Sequence, residues 1–182
     1  ILACAGSNVA VDNLVEGISK IKTTISERIN IVRLGHPARI SPQILEHSLS
    51  YRVLHSDQSA LARDCRDEIN TLNRKYLKLS GKEREERKQI RQLIRKLNKE
   101  ERKRQKIAVE QSLNAAQVIF CTLSGAASFH LSKVPLFDVV IIDEAAQATE
   151  PACWSALLRG RRCVLAGDHL QLPPTIISKE AS

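Results

Sequence analysis

The chain has 182 residues, with 28 Lys and Arg against 20 Asp and Glu, and a formal net charge of +8. Apolar residues make up 43% of the sequence, which excludes a disordered chain and predicts a folded domain with an aliphatic core. No apolar run approaches the roughly twenty residues of a membrane-spanning helix, and no signal-peptide pattern opens the chain, so we expect neither feature.

The first elements predicted are a strand, a turn and a helix. Residues 1–5 form an apolar run, and Ser7 or Asn8 is a candidate N-cap for the helical spacing of apolar residues that follows. Residues 29–34 read as a second strand, ended by a Gly-His-Pro turn. Residues 38–55 predict short helix and loop.

The central part of the sequence predicts a helical hairpin. Ser56 or Asp57 is placed to cap a long run whose apolar residues step by three or four, and Ser80-Gly81 breaks that run. A second run carries Ile90, Leu93, Ile94 and Leu97 on one helical stripe. Two amphipathic helices joined by Ser-Gly are typical of an antiparallel pair.

The remaining elements alternate between strand and helix. Strands are predicted at residues 116–122, 138–142 and 162–166, the middle one buried on both faces, with a helix at residues 149–158. This order predicts an α/β fold with a parallel sheet. We expect residues 1–55 and 113–182 to form the sheet domain and residues 56–112 to be inserted into it.

The sequence has no Met, so we expect the chain to be an internal piece of a longer protein, with N-terminal processing as the alternative. Its five Cys include no Cys-x-x-Cys pair. Neither a disulfide scaffold nor structural zinc is therefore expected. A reducing compartment, the nucleus or the cytoplasm, is predicted.

Two acids follow the predicted buried strand. Asp143 and Glu144 would lie at the carboxyl edge of the sheet, where ligands bind in open parallel sheets. A hydrated Mg²⁺ held by Asp143 would offset their desolvation, and Glu144 would then orient and deprotonate an attacking water. The alternative is that Asp143 caps the next helix and Glu144 is solvated.

A second polar segment follows the last strand. Gly167 allows a sharp turn before Asp168, and the uncharged Gln171 is placed to contact a terminal phosphate, with Pro173-Pro174 stiffening the loop. An ordinary loop is the alternative.

Together, Asp143-Glu144-Ala145-Ala146-Gln147 and Gly167-Asp168-x-x-Gln171-Leu172-Pro173-Pro174 resemble motifs II and III of superfamily 1 helicases. Residues 4–14 are similar to motif Ia of the branch that contains the nonsense-mediated-decay helicase and senataxin, although Gly6 stands where Pro is common. Residues 33–39 resemble the immunoglobulin mu-binding protein 2 group in particular. Residues 122–126 resemble that branch's nucleic-acid-contacting segment.

The resemblance implies a RecA-like domain of the P-loop NTPase class that uses ATP and Mg²⁺. It implies that Asp143 holds Mg²⁺ through water, that Glu144 activates the attacking water, and that Gln147 and Gln171 contact nucleotide or sense its γ-phosphate. No Gly-x-x-x-x-Gly-Lys-Ser/Thr occurs in the chain. We therefore expect the family's first strand, its P-loop and its second RecA-like domain to lie outside this piece, and the piece alone to hydrolyse ATP negligibly.

The resemblance also implies contacts with single-stranded DNA or RNA. It assigns them to Ser7 and Asn8, and to Thr122, Ser124 and Gly125 along the same track. A simple capping role is the alternative for Ser7.

Residues 82–106 contain twelve Lys or Arg and five Glu, a net charge of +7. This charge predicts an electrostatic rail for a phosphate backbone, with Lys96, Lys99, Arg102 and Lys103 as contacts. A solvated helix face is the alternative.

The function predicted is therefore that of a fragment of an ATP-dependent helicase, with 5′-to-3′ movement implied by the resemblance and a monomeric state expected. The main alternative is a catalytically dead nucleic-acid-binding module or truncated isoform. An unrelated P-loop ATPase would leave the basic hairpin and residues 4–14 unexplained.

Overall fold

The computed structural model describes residues 1–21, 29–80 and 83–174. In chain order its strands and α-helices are β1 (Leu2–Ala5), α1 (Asn8–Ser19), β2 (Ile31–Arg33), α2 (Leu49–Leu54), α3 (Asp57–Lys78), α4 (Arg84–Asn114), β3 (Val118–Thr122), α5 (Leu123–Ala126), β4 (Val140–Ile142), α6 (Glu150–Leu157) and β5 (Cys163–Leu165). The chain divides into two compact units. The sheet unit comprises Ile1–Tyr51 and Leu113–Ser182, and the hairpin unit comprises Arg52–Ser112.

The sheet unit is built on five parallel strands in the order β2-β3-β1-β4-β5. β1 lies in the middle, where Cys4 is in register with Cys121 on one side and with Ile142 on the other. The parallel α/β fold of the RecA-like type is confirmed. Parallel strands require crossovers, and the apolar runs in β1, β2 and β3 are buried, as such sheets demand.

Helix α1 supplies one side of the core. Val11 and Val15, one helical turn apart, are both fully buried and belong to a cluster that includes Ala3, Ala5 and Phe120 of the sheet. Burying each valine contributes about 1.5 to 3 kcal/mol to the free energy of folding. With so few aromatic residues in the sequence, aliphatic side chains and Phe120 fill the core.

All five cysteines are free thiols. Cys4 and Cys121 lie buried side by side, with 3.6 Å between their sulfurs. The hydrogen bond between the two thiols, together with burial, raises the pKa of Cys4 well above its ordinary value. Both residues therefore act as small apolar side chains of the core.

The hairpin unit contains α3 and α4 running antiparallel. Ion pairs join Lys75 to Glu86 near one end and Arg66 to Glu101 further along, and Arg104 donates a hydrogen bond to the Gln58 side chain nearer the start of α3. Ser56 caps α3 through its hydroxyl, which accepts from the amide of Ser59 at 3.2 Å. Gly81, half of the predicted helix break, lies outside the described residues.

The structure differs from the sequence-based prediction in several places. The second strand covers Ile31–Arg33 rather than residues 29–34, and β3 begins at Val118 rather than at residue 116. The fourth strand starts at Val140 rather than at residue 138, and its Ile141 is only partly buried. The segment after β3 forms the one-turn helix α5, because the Thr122 hydroxyl caps it. All three residues of β5 are exposed, so this strand is not part of the core in the described chain. Within the three described ranges, no helix has the length and apolarity to cross a membrane.

Candidate nucleotide and nucleic-acid sites

Every candidate site residue of the sheet unit lies at the carboxyl end of a strand or in the segment that follows it. Because all five strands are parallel, these ends share one edge of the sheet. The acidic and glutamine residues follow β4 and β5, and the candidate nucleic-acid residues follow β1 and β3. The edge thus has two halves with different side chains.

The two acids occupy the end of β4. The amide of Asp143 donates to the carbonyl of Cys4 at 2.8 Å, which extends the pairing of β4 with β1 by one residue. Asp143 and Glu144 are both half-buried. The cap position of the following 3₁₀ turn, Ala145–Gln147, belongs to Glu144 and carries no side-chain cap bond. Capping by Asp143, the alternative for this residue, is not observed.

The backbone of Glu144 is left-handed, with φ 53° and ψ 42°, and it is the one non-glycine residue with positive φ among those described. A side chain in this region costs about 1 to 2 kcal/mol, and such residues concentrate at functional sites. Gln147 donates from Nε2 to Glu144 Oε2 at 3.1 Å. The amide therefore holds one oxygen of the carboxylate.

The segment after β5 packs against this turn backbone to backbone. The amide of Ala145 donates to the carbonyl of Ala166 at 2.8 Å. Gly167 follows with φ 154°, and a Cβ at this position would lie 3.0 Å from the Ala145 nitrogen. Glycine is required here both for its conformation and for the close approach.

Gln171 lies within its own loop, on the solvent side. Its Nε2 donates to Asp168 Oδ2 at 3.3 Å, and Asp168 Oδ1 accepts from the amide of Leu170 at 2.9 Å. Both side chains are exposed. The loop is thus an organised turn, with the glutamine held by Asp168.

The donor set at this half of the edge fits Mg²⁺. Asp143 and Glu144 offer carboxylate oxygens, the ligands that Mg²⁺ prefers, and Mg²⁺ usually keeps several waters and takes only one or two protein carboxylates. Within residues 1–21, 29–80 and 83–174, no group of three or more His, Cys, Asp or Glu side chains is placed to hold a metal. A closed, all-protein metal cage is therefore not what these residues form.

The other half of the edge contains a cleft of about 650 Å³. It is lined by residues 6–8 after β1, by residues 34–37 after β2, and by Thr122, Ser124 and Gly125 after β3. The structure thus brings together all five candidate nucleic-acid residues of the sheet unit. Hydroxyl and amide side chains are supplied by the segments after β1 and β3, and such groups are suited to phosphate oxygens.

Ser7 and Thr122 each cap a helix that begins at the cleft. The Ser7 hydroxyl accepts from the amide of Ala10 at 3.1 Å, and the Thr122 hydroxyl accepts from the amide of Gly125 at 3.1 Å. The capping alternative for Ser7 is therefore observed. Capping uses each hydroxyl as an acceptor and leaves its proton for another partner. Ser124 lies 3.1 Å from Thr122, oxygen to oxygen.

A buried guanidinium fixes the orientation of Asn8. Arg33 on β2 is fully buried, and its Nη2 donates to Asn8 Oδ1 at 2.9 Å while its Nε donates to Asp12 Oδ1 at 2.9 Å. Asp12 Oδ2 accepts in turn from the amide of Ser41 at 2.8 Å. Because the carbonyl oxygen of Asn8 is taken, its NH₂ group, which donates to no acceptor among the described residues, is the part left for a ligand.

The cleft contains five polar residues that the sequence reasoning did not select. They are His36, Arg39, Ser50, Ser128 and His130. The hydroxyl of Ser128 is buried and has no hydrogen-bond partner among the described residues. His36 and Arg39 lie in the segment that carried the family resemblance, which was the available signal; nothing in the sequence marked Ser128 or His130.

The four candidate residues of the hairpin lie on α4. Lys96, Lys99, Arg102 and Lys103 are exposed, and none forms an ion pair within the described part of the chain. This arrangement suits a solvated face and a phosphate-binding face equally.

A family model described as an AAA domain matches residues 1–179 of the chain. The chain belongs to this family. The match covers the acidic segment, the cleft and the hairpin together, so all the candidate residues lie inside one AAA domain.

Three curated proteins are similar in sequence to this chain over nearly its whole length. The chain is 44% identical over 185 residues to DNA-binding protein SMUBP-2 of Mesocricetus auratus, covering 100% of the chain and 18% of that protein. It is 45% identical over 180 residues to DNA polymerase alpha-associated DNA helicase A of Schizosaccharomyces pombe, covering 98% of the chain and 26% of that protein. It is 36% identical over 186 residues to the Regulator of nonsense transcripts 1 homolog of Arabidopsis thaliana, covering 100% of the chain and 13% of that protein.

These relatives confirm the resemblance to superfamily 1 helicases of the nonsense-mediated-decay helicase and senataxin branch. The chain spans about a quarter or less of the length of each of these three proteins.

Proposed function

We propose that this AAA domain is the greater part of the first RecA-like domain of an ATP-dependent superfamily 1 helicase, acting on single-stranded DNA or RNA and moving 5′-to-3′. One observation carries the proposal. The acids after β4 and the polar cleft after β1 and β3 lie along one edge of one parallel sheet.

The nucleotide half of the edge is the half after β4 and β5. Asp143 would hold a hydrated Mg²⁺ through its carboxylate, and the bound ion would neutralise charge on the phosphates of ATP. Glu144, with one oxygen held by Gln147, keeps the other free to orient and deprotonate a water. Gln171 is supplied by the neighbouring loop as a neutral contact to the terminal phosphate.

The nucleic-acid half of the edge is the cleft. The proton of the Ser7 hydroxyl and the NH₂ group of Asn8 are donors left over after the internal bonds have formed. Thr122, Ser124 and Gly125 also line the cleft, and because the two hydroxyls hydrogen bond to each other, one of their protons is left for a ligand. Such neutral donors position a phosphate backbone without reading base sequence.

Strand β1 gives the two halves a direct physical connection. Its Cys4 carbonyl accepts from the amide of Asp143, and four residues later the same backbone reaches Asn8 in the cleft. Loss of the γ-phosphate therefore acts on a backbone segment that is continuous with the nucleic-acid contacts. This is the kind of element through which hydrolysis is coupled to movement.

The exposed edge strand β5 is suited to a further partner strand. Cys163, Val164 and Leu165 are all exposed, and Gly167 follows next to the acids. A parallel strand added at β5 would hydrogen bond to the backbone of this edge strand and bring a phosphate-binding loop to the same edge of the sheet as Asp143. Because this chain has no such loop, we expect the 182-residue chain alone to hydrolyse ATP negligibly.

The test is ATP hydrolysis by a longer helicase that contains this chain. Glu144→Gln is expected to lower kcat at least a hundredfold while ATP binding is retained, because water activation is lost and the binding surface is not. Glu150→Gln, an exposed acid six residues away in α6, is the matched control and should leave kcat unchanged. Equal activity of the Glu144→Gln variant and the parent would contradict the proposal.

A further inference from the structure

The outer face of α4 has a charge pattern that extends well beyond the four candidate residues. Counting 100° per residue, seven cations of this helix fall within an arc of about 80°. They are Arg84, Lys88, Arg91, Arg95, Lys99, Arg102 and Lys106. All seven are exposed, and at 1.5 Å per residue the stripe is about 33 Å long. We call these seven residues the basic stripe.

The acids of the hairpin do not neutralise the basic stripe. Glu86 and Glu101 pair with Lys75 and Arg66 of α3. Within the stripe, only Lys88 and Lys106 contact an acid, and these contacts are long, at 3.9 and 3.8 Å. The other five cations form no ion pair among the described residues. The stripe therefore keeps most of its charge available to a partner.

The partner must be an extended polyanion whose bases are not needed for binding. No aromatic residue occurs in α4, and the ring of Tyr76 on α3 is already covered by the guanidinium of Arg87, whose carbon lies 4.5 Å from the ring centre. Proteins that hold single strands combine a basic groove with aromatic side chains that stack on the bases. A duplex keeps its bases stacked inside and presents phosphates alone.

The length of the basic stripe matches a duplex as well. About 33 Å is close to one helical turn of B-form DNA, which spans about 34 to 36 Å. We propose that the basic stripe binds the phosphate backbone of double-stranded nucleic acid, independently of sequence. The inference rests on the proposed helicase function and extends it, because it gives the protein a contact for the duplex separate from the single-strand cleft.

The test compares two probes on the 182-residue chain, a blunt duplex of about 20 base pairs, two helical turns, and a thymidine single strand of the same length. Affinity is measured between about 50 and 200 mM salt. The stripe variant is Arg91→Gln with Arg95→Gln and Arg102→Gln. Glutamine keeps the helix propensity of arginine, and the helix content of the variant is checked by circular dichroism.

Duplex affinity of the stripe variant is expected to fall at least tenfold at low salt. The slope of log affinity against log salt should decrease by about 3, close to one unit for each lost phosphate contact. Affinity for the single strand should change less than twofold. The same three positions changed to Lys should retain duplex binding, because the charge is kept.

A matched control removes three exposed cations away from the stripe: Arg74→Gln with Lys78→Gln on α3 and Arg162→Gln in the sheet unit. Equal losses for this control, or equal losses on both probes, would overturn the inference. A parent chain that binds the single strand but not the duplex would overturn this inference alone. A parent chain that binds neither probe would overturn the proposed function too.

Discussion

The sheet unit and the hairpin unit place cations differently: one is buried and hydrogen-bonded beside the cleft, whereas those of the basic stripe are exposed. In the sheet unit, one buried guanidinium is fixed by three acceptors, the side chains of Asn8 and Asp12 and the carbonyl of Leu34, and it orients the neutral amide of Asn8, which lines the cleft. In the stripe, seven cations are exposed and nearly unpaired. In the first arrangement the positive charge acts on a few neighbouring atoms, and in the second it is spread over a surface about 33 Å long.

This difference implies different responses to mutation and to salt. A buried network fails when one member is removed, because the remaining polar groups lose their partners. A surface stripe loses affinity in proportion to the charges removed, with little cost to folding, and salt screens it. The comparison can be tested by matched substitutions in the two units.

The largest effect is expected at Arg33. Arg33→Met leaves the carboxylate of Asp12 buried without its charge partner, which costs about 3 to 5 kcal/mol of unfolding free energy. The measurement is urea unfolding of the 182-residue chain. In the double variant with Asp12→Leu, part of the loss should be recovered, since no buried charge remains. An Arg33→Met variant as stable as the parent would show that the network is not structural.

The next effect is expected at Gly167. Gly167→Ala places a Cβ 3.0 Å from the Ala145 nitrogen on a backbone with φ 154°, and should cost about 2 kcal/mol. Gly17→Ala is the control, because Gly17 lies inside α1 with open space around it. That substitution should stabilise the chain by about 0.5 to 1 kcal/mol. Thermal unfolding distinguishes the two, and changes of the same sign would refute the close approach at Gly167.

Substitutions at Ser7 separate capping from ligand binding. Ser7→Ala removes the cap of α1 and should cost about 1 kcal/mol. Ser7→Asp keeps a capping oxygen, so the stability should be close to that of the parent, while the added negative charge should weaken single-strand binding at least fivefold. Unfolding and oligonucleotide titration are measured on the same samples. Unchanged binding by Ser7→Asp would remove Ser7 from the cleft's contacts.

The smallest effect on stability is expected in the hairpin. Arg95→Gln removes one exposed, unpaired cation and should change the unfolding free energy by less than about 0.5 kcal/mol. Arg66→Gln breaks the ion pair between the exposed Arg66 and the largely buried carboxylate of Glu101. Because Gln105 still donates to that carboxylate, the cost should be about 1 kcal/mol or less. Urea unfolding measures both. A loss above about 2 kcal/mol for either would mean that surface charge supports the hairpin far more than surface ion pairs ordinarily do.

The sequence was sufficient for the parallel sheet and for the helical pair, since both depend on local periodicity. The alternation of short apolar runs with helical segments predicted the parallel sheet. Apolar residues spaced by three or four predicted α3. Helix α4 extends well beyond the short apolar stripe that predicted it. Arg, Lys, Glu and Gln, which fill the rest of α4, are strong helix formers and carry it to 31 residues.

Parts of the candidate sites could not be derived from the sequence. Arg33 lies in a short apolar strand, and its partners Asn8 and Asp12 are more than twenty residues away, so the network exists only after folding. The unpaired hydroxyl of Ser128 is likewise a property of packing. The acids were identifiable because two carboxylates directly after a buried strand are unusual, whereas the backbone of Glu144 carries no local signature.

The left-handed backbone at Glu144 sets stability against activity. Glycine adopts this conformation without a Cβ penalty, so a change to Gly should make the folded chain more stable by about 1 kcal/mol, even as it removes the carboxylate. Any engineering campaign that ranks variants of this domain by melting temperature alone would therefore favour the loss of its proposed catalytic acid. Screens for robust variants need to hold residue 144 constant.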